Sequence, residues 1–128
     1  MGSHRTVGNI MNRKLLYLRE GDRLTLARSK ILELGITAVP ILDDGHRPVG
    51  VVTLRELQHE PVVASTTFHT VNAAASILEG ARILARNDLH HLVVVDSEGV
   101  AVGMVSAVDF VRELAGLAPH HPAGFDEL

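Results

Sequence analysis

The spacing of apolar residues changes period repeatedly along the chain, and each change marks an element. From Asp22 the positions Leu24, Ala27, Ile31, Leu32 and Leu34 follow helical spacing, which predicts a helix of about three turns. Asp22 is placed as its N-cap and Gly35 as its left-handed C-terminal residue. Ala38–Leu42 and Val49–Val52 are short apolar runs with β-branched content, read as strands joined through DDGHRP, where Asp44 and Gly45 give the hairpin signal. Thr53 then opens a short helix through Leu57. Ahead of these elements, VGNIM (Val7–Met11) is a small mixed segment, and Leu15–Leu18 is long enough only for a strand or turn.

The same order follows a second time. Phe68–Val71 is strand-like, and Ala73–Arg86 is helical with Ile77, Ala81, Leu84 and Ala85 on one face. His91–Val95 and Val100–Val105 are strands around a turn at Ser97–Gly99, and Ser106–Leu114 is a helix. Shifting the chain by 53 residues superposes Asp43 on Asp96, Gly50 on Gly103, Val52 on Val105, Thr53 on Ser106 and Glu56 on Asp109. Few residues are identical, but the hydrophobic pattern repeats. The expected fold class is therefore α/β (α+β): tandem β-α-β-β-α repeats packed as a pseudo-twofold pair. Residues 6–60 form the first repeat, 61–117 the second and 118–128 a C-terminal tail, with the stretch from Gln58 to Thr67 as the junction.

Composition narrows the possibilities. The chain has 128 residues, a hydrophobic share of 46%, one Tyr, three Phe and no Trp, so its core is built from Val, Leu, Ile and Ala. Absence of Cys excludes disulfides and thiolate chemistry and favours a cytoplasmic location. No apolar run approaches the roughly 18 residues that span a bilayer, and a net charge of −3 lacks the basic excess of a phosphate-gripping nucleic-acid binder. Membrane and nucleic acid are thus not expected partners. Met1–His4 (MGSH) has the look of a cloning scar and is given no role.

The stretch GMVSAVD (Gly103–Asp109) carries the most pointed chemistry. A buried strand delivers Ser106 to the start of a helix, with Asp109 three residues on. The helix start stabilises an anion through unpaired N–H groups and its dipole, and a carboxylate can accept both hydrogen bonds of a cis diol. The same two residues can instead cap the helix, worth about 1 kcal/mol with no ligand at all. Eight His residues raise the question of a metal, but His90 and His91 are neighbours at a strand start with side chains on opposite faces. His69 has no motif partner and His120 and His121 lie in the tail, so no metal site is expected. Without a Cys nucleophile, a GxSxG elbow or a GxxxxGK phosphate loop, the chain is not expected to be an enzyme.

Three segments carry a family resemblance: VGNIM, GITAVPILDDGHRPVGVVTLREL and LHHLVVVDSEGVAVGMVSAVDF. Each repeat resembles a CBS domain, the module found in pairs in cystathionine beta-synthase, IMP dehydrogenase and the gamma subunit of AMP-activated protein kinase. The resemblance covers about residues 6 to 115 and implies a regulatory pair, a Bateman module, that binds an adenine nucleotide in a cleft between repeats and needs no cofactor. AMP, ADP or ATP is the implied ligand, with S-adenosylmethionine and NAD as further candidates. It implies that Ser106 contacts phosphate and Asp109 the ribose diol. Thr6, Asn9 and Met11, with Ile36, Thr37 and Ala38, complete the cleft; Met11, Ile36, Ala38 and Met104 face adenine, and Asn9 or backbone groups read its edge. His90 and His91 stand at positions that face phosphate in kinase-gamma-like members. The second cleft, built on Thr53 and Glu56 with His59 and Val62 where the first has Thr6 and Asn9, is expected to be weak or empty. The helices at Thr53–Leu57 and Val108–Leu117 carry surplus apolar residues, which predicts a homodimer acting on a regulated partner protein; a ligand-free docking module is the alternative.

Overall fold

The computed structural model describes residues 5–34 and 36–119. In chain order the elements are α1 (Val7–Ile10), β1 (Leu18–Arg19), α2 (Leu26–Leu34), β2 (Ala38–Leu42), β3 (Pro48–Thr53), α3 (Leu54–Leu57), β4 (Thr70–Asn72), α4 (Ile77–Arg86), β5 (His91–Val95), β6 (Ala101–Ser106) and α5 (Ala107–Leu114). They form two compact units, and each repeats β-α-β-β-α around a three-stranded sheet.

One unit spans residues 14–68. Its sheet has the order β1-β2-β3, with β1 parallel to β2 and β2 antiparallel to β3. Every residue of β2 is buried, as its unbroken apolar run requires. Its core gathers Leu16, Leu18, Ala27, Ile31, Val39, Ile41, Val52 and Leu57. The helix starts later than the spacing suggests: Asp22 accepts a hydrogen bond from the Arg19 amide at 2.8 Å, closing a turn, and α2 begins at Leu26. The expected C-cap Gly35 lies outside the described residues. The hairpin turn is also not the one expected. Asp43, not Asp44, accepts from the amides of Gly45 and Arg47, and the left-handed residue is His46 at φ 60°. In the other repeat Asp96 does the same for Glu98 and Val100, and Gly99 at φ 81° occupies the corresponding left-handed position.

The other unit joins residues 5–13 to residues 69–119. Its sheet, β4-β5-β6, has the same directions, and its bulge at Val94/Val95 matches that at Ile41/Leu42. The helix α4 is capped by Ser76, whose hydroxyl accepts from the Glu79 amide at 3.0 Å. Its buried positions are Gly80 and Leu84, with Ile77 and Ala81 beside them, whereas Ala85 is exposed rather than on the packed face. Val7, Ile10 and Met11, from the start of the chain, share a core with Val71, Leu92, Val94, Val105 and Phe110. Packing here is tight enough that a Cβ on Gly80 would come within 2.7 Å of Phe110 and 2.9 Å of Val7.

Candidate functional site

The site residues of the second repeat sit at one end of the β5-β6 sheet. Directly opposed residues of an antiparallel pair send their side chains to the same face. His91 opposes Ser106 and Val93 opposes Met104, while the intervening Leu92 opposes Val105 and Val94 opposes Gly103. Leu92, Val94 and Val105 face the helix-packed core. His91, Val93, Met104 and Ser106 therefore share the other face.

Ser106 ends β6 and caps α5. Its amide donates to Asp109 Oδ2 at 2.7 Å and its hydroxyl donates to the same oxygen at 3.1 Å, while the Asp109 amide donates back to the Ser106 hydroxyl at 3.3 Å. This is a capping box, and it holds both side chains in fixed orientation at the helix start. Asp109 is only 8% exposed. A carboxylate accepts in about four directions, so capping and accepting from a diol are compatible in kind. Thr53 and Glu56 build the corresponding box at α3, at 2.7 Å and 2.6 Å, so the longer Glu side chain still reaches its cap.

The segment ahead of the first strand completes this end of the unit. Asn9 Oδ1 accepts from the Thr6 amide at 2.8 Å and its hydroxyl at 3.3 Å, which closes the first turn of α1. The amides of Val7 and Gly8 donate to the carbonyls of Ala75 and Ala73, anchoring α1 beside α4. Asn12 and Met104 then exchange amide hydrogen bonds of 2.8 and 3.1 Å. Gly103 is what permits this approach: a Cβ there would stand 2.7 Å from the Asn12 carbonyl and 2.7 Å from the Met11 sulfur. The sequence comparison aligned Gly103 with Gly50 without supplying this reason. The counterpart in the other unit is the exchange of bonds between Val51 and Ser65, both 2.9 Å, again over a glycine, Gly50. Each sheet is thus joined by the segment that precedes the other repeat in sequence.

The remaining assigned residues fall as follows. Met11 is buried in the helix-side core, and Met104 is half-buried on the outer sheet face. His91 is half-buried; burial first, and His90 second, lower its pKa from the ordinary 6.5, while Asp109 acts in the opposite direction. His90 is exposed and lines an open groove of about 460 Å³ on the helical side with Leu84, Leu89, Ala107 and Phe110. Ile36, Thr37 and Ala38 lead into β2 of the other unit, half-buried, exposed and buried in turn. Ala38 opposes Thr53 there as His91 opposes Ser106. Among the described residues no group of three or more His, Asp or Glu is placed to hold a metal ion, and no helix is long and apolar enough to cross a membrane.

The sequence model of the CBS domain matches residues 7–62 and again 60–116. This chain belongs to the CBS domain family. A stretch of 85 residues, 60% of the chain, is 28% identical to inosine-5'-monophosphate dehydrogenase of Mycobacterium tuberculosis, but it spans only 16% of that enzyme's length. Solved CBS-pair structures share the fold. CBSX2, from Arabidopsis thaliana and in complex with AMP, matches with a TM-score of 0.78 at 23% identity, covering 88% of this chain and 97% of the other. The CBS domain pair of protein MJ0100, in complex with 5'-methylthioadenosine and S-adenosyl-L-methionine, matches with a TM-score of 0.78 at 19% identity, covering 89% and 98%.

Proposed function

We propose that this CBS pair is a non-catalytic regulatory module that binds one adenine nucleotide, AMP, ADP or ATP, and passes its occupancy to a partner protein. The observation that carries the reading is the joint placement of His91, Met104 and Ser106 on one sheet face, with Asp109 fixed beside Ser106 by the capping box. A half-buried thioether offers an apolar wall to a base, a hydroxyl at a helix start suits a phosphate, and a buried carboxylate suits a diol. That CBSX2 is solved with AMP and the MJ0100 pair with adenosyl ligands supports the ligand class. In this reading Thr6, Asn9 and Met11 frame the ligand. Residues 6–60 and 61–117 are the two repeats, and most of the expected tail at 118–128 lies outside the described residues. The module acts in the cytoplasm as a homodimer, and the Cys-free composition and the exposed apolar residues of α5 support those two points.

A second reading, a ligand-free docking module, draws on one observation: the capping boxes already give Ser106 and Asp109 a structural role. A thermal-shift panel of AMP, ADP, ATP, S-adenosylmethionine and NAD separates the two. The sensor reading expects a concentration-dependent rise in Tm with at least one of AMP, ADP or ATP. A flat response to every ligand would leave the docking module.

A further inference from the structure

We propose that the groove on the helical side of the unit formed by residues 5–13 and 69–119 binds a small apolar cation, an amine on a hydrocarbon body. The groove holds about 460 Å³, within the range of about 300–1,000 Å³ in which small molecules are bound. It lies away from the sheet face shared by His91, Met104 and Ser106, so it is separate from the nucleotide site proposed above. The two repeats show why space is open here. The shift of 53 residues that superposes them places Arg28 on Ala81, Leu32 on Ala85 and Leu54 on Ala107. In the first repeat the Arg28 side chain crosses from α2 to α3, where its guanidinium donates to the Leu57 carbonyl at 2.9 Å. The equivalent crossing in the second repeat would run from Ala81 to Phe110, and both of these line the groove. Three methyl groups thus stand around one space where the first repeat has three long side chains. Beside them are the buried Leu84 and Phe110, 6% and 7% exposed, so a hydrocarbon body entering the groove removes apolar surface from water.

Asp88 sets the sign of the polar end. Its backbone is left-handed at φ 52°, a conformation glycine adopts more readily, and the aligned residue of the first repeat is Gly35. A carboxylate therefore stands on the groove where backbone geometry alone would favour glycine. Among the described residues no hydrogen bond or ion pair engages it. Asp88 also follows closely on the end of α4 at Arg86, where the last helical carbonyls carry the negative end of the dipole. Both features favour a positive charge. No Lys or Arg lines the groove, and its other ionisable group is His90; Arg86, in the last turn of α4, is not among the lining residues. An alcohol of the same shape as the amine would cover the same apolar walls and gain nothing from the charge.

The test is an amide NMR titration of the full chain with phenethylamine, and with phenethyl alcohol as its uncharged counterpart. The expected result is saturable shifts of the Leu84, Leu89 and Ala107 amides with both probes. The amine should bind about three- to tenfold tighter, the scale of an exposed ion pair beside a helix end. Asp88→Asn should equalise the two affinities and leave that of the alcohol unchanged. Ala81→Arg, which restores the residue of the first repeat, and Ala85→Leu, a smaller filling at an exposed position, should each weaken both probes by about tenfold. Sedimentation of Ala81→Arg should match that of wild type. No saturable shift at millimolar probe, equal affinities for amine and alcohol in wild type, or an amine preference that survives Asp88→Asn overturns the proposal. So does binding that neither filling variant weakens. A wild-type dimer that Ala81→Arg converts to a folded monomer would assign the groove to a second copy of the chain and overturn it as well.

Discussion

Asp109 and His91 show how one residue position can carry two kinds of demand. Asp109 is buried at a helix start because its carboxylate satisfies two donors of Ser106, and that need alone would explain its presence. His91 opposes Ser106 where Ala38 opposes Thr53 at the equivalent strand start of the other repeat. Its depressed pKa makes a prediction about the protein without ligand. Between the folded pKa and 6.5 the unfolded chain binds the proton that the folded chain refuses, so His91 lowers stability as pH falls through that window, and this loss is absent above it. The urea midpoint should be lower at pH 5.5 than at pH 7.5, and His91→Gln should shrink the gap. Equal gaps in the two proteins would mean that the ring is not desolvated as described.

Among the elements, the arrangement with the most consequence is the exchange of leading segments. Residues 5–13 pack with the second repeat through Val7, Ile10 and Met11 and through the Asn12–Met104 pair. Removing the first eleven residues would therefore strip Val7, Ile10 and Met11 from a core, and loss of binding after such a truncation would not identify a site. Point substitutions are more discriminating. Gly103→Ala forces a methyl to 2.7 Å from the Asn12 carbonyl and the Met11 sulfur, and should cost about 1–3 kcal/mol as an overpacked core does. Gly50→Ala meets its neighbours at 3.3 and 3.4 Å and should cost less. Chemical denaturation of the two variants checks the order, and equal midpoints would refute the difference in packing. Strands β2, β3, β5 and β6, the second helix of each repeat and the repeat itself were legible because short continuous apolar runs and the shift of 53 residues can be read directly from the sequence. The start of α2 at Leu26 and the left-handed His46 were not, because Asp22 and Asp43 spend their carboxylates on nearby turn amides that no periodicity reveals. For the candidate site, the grouping of Ser106 with Asp109 could be read from spacing, whereas the pairing of His91 with Ser106 required the strand register.

At the scale of the whole molecule, the longest run of exposed large apolar residues among the described residues lies on α5 and just beyond it, with Leu26, Leu32, Leu54, Val63 and Leu78 exposed singly elsewhere. Val108, Val111 and Leu114 are 63%, 61% and 89% exposed and follow one another as i,i+3 neighbours along α5, and Leu117, 52% exposed, lies beyond the helix end. Covering them in a second copy is the simplest account, and the account predicts a dimer by sedimentation at micromolar concentration that Val111→Asp converts to a folded monomer. A wild-type monomer under those conditions would contradict it. The central claim, that Ser106 and Asp109 serve an adenine nucleotide as well as a helix cap, is met most directly by calorimetric titration of AMP into wild type and Asp109→Asn. The Asn side chain keeps an oxygen for the Ser106 amide but loses the charge, so the fold should persist. The account predicts saturable binding of one AMP per wild-type chain and at least tenfold weaker binding by the variant, the scale of about 1.4 kcal/mol for a charged hydrogen bond. No heat of binding from wild type, or equal affinity in both proteins, would contradict it.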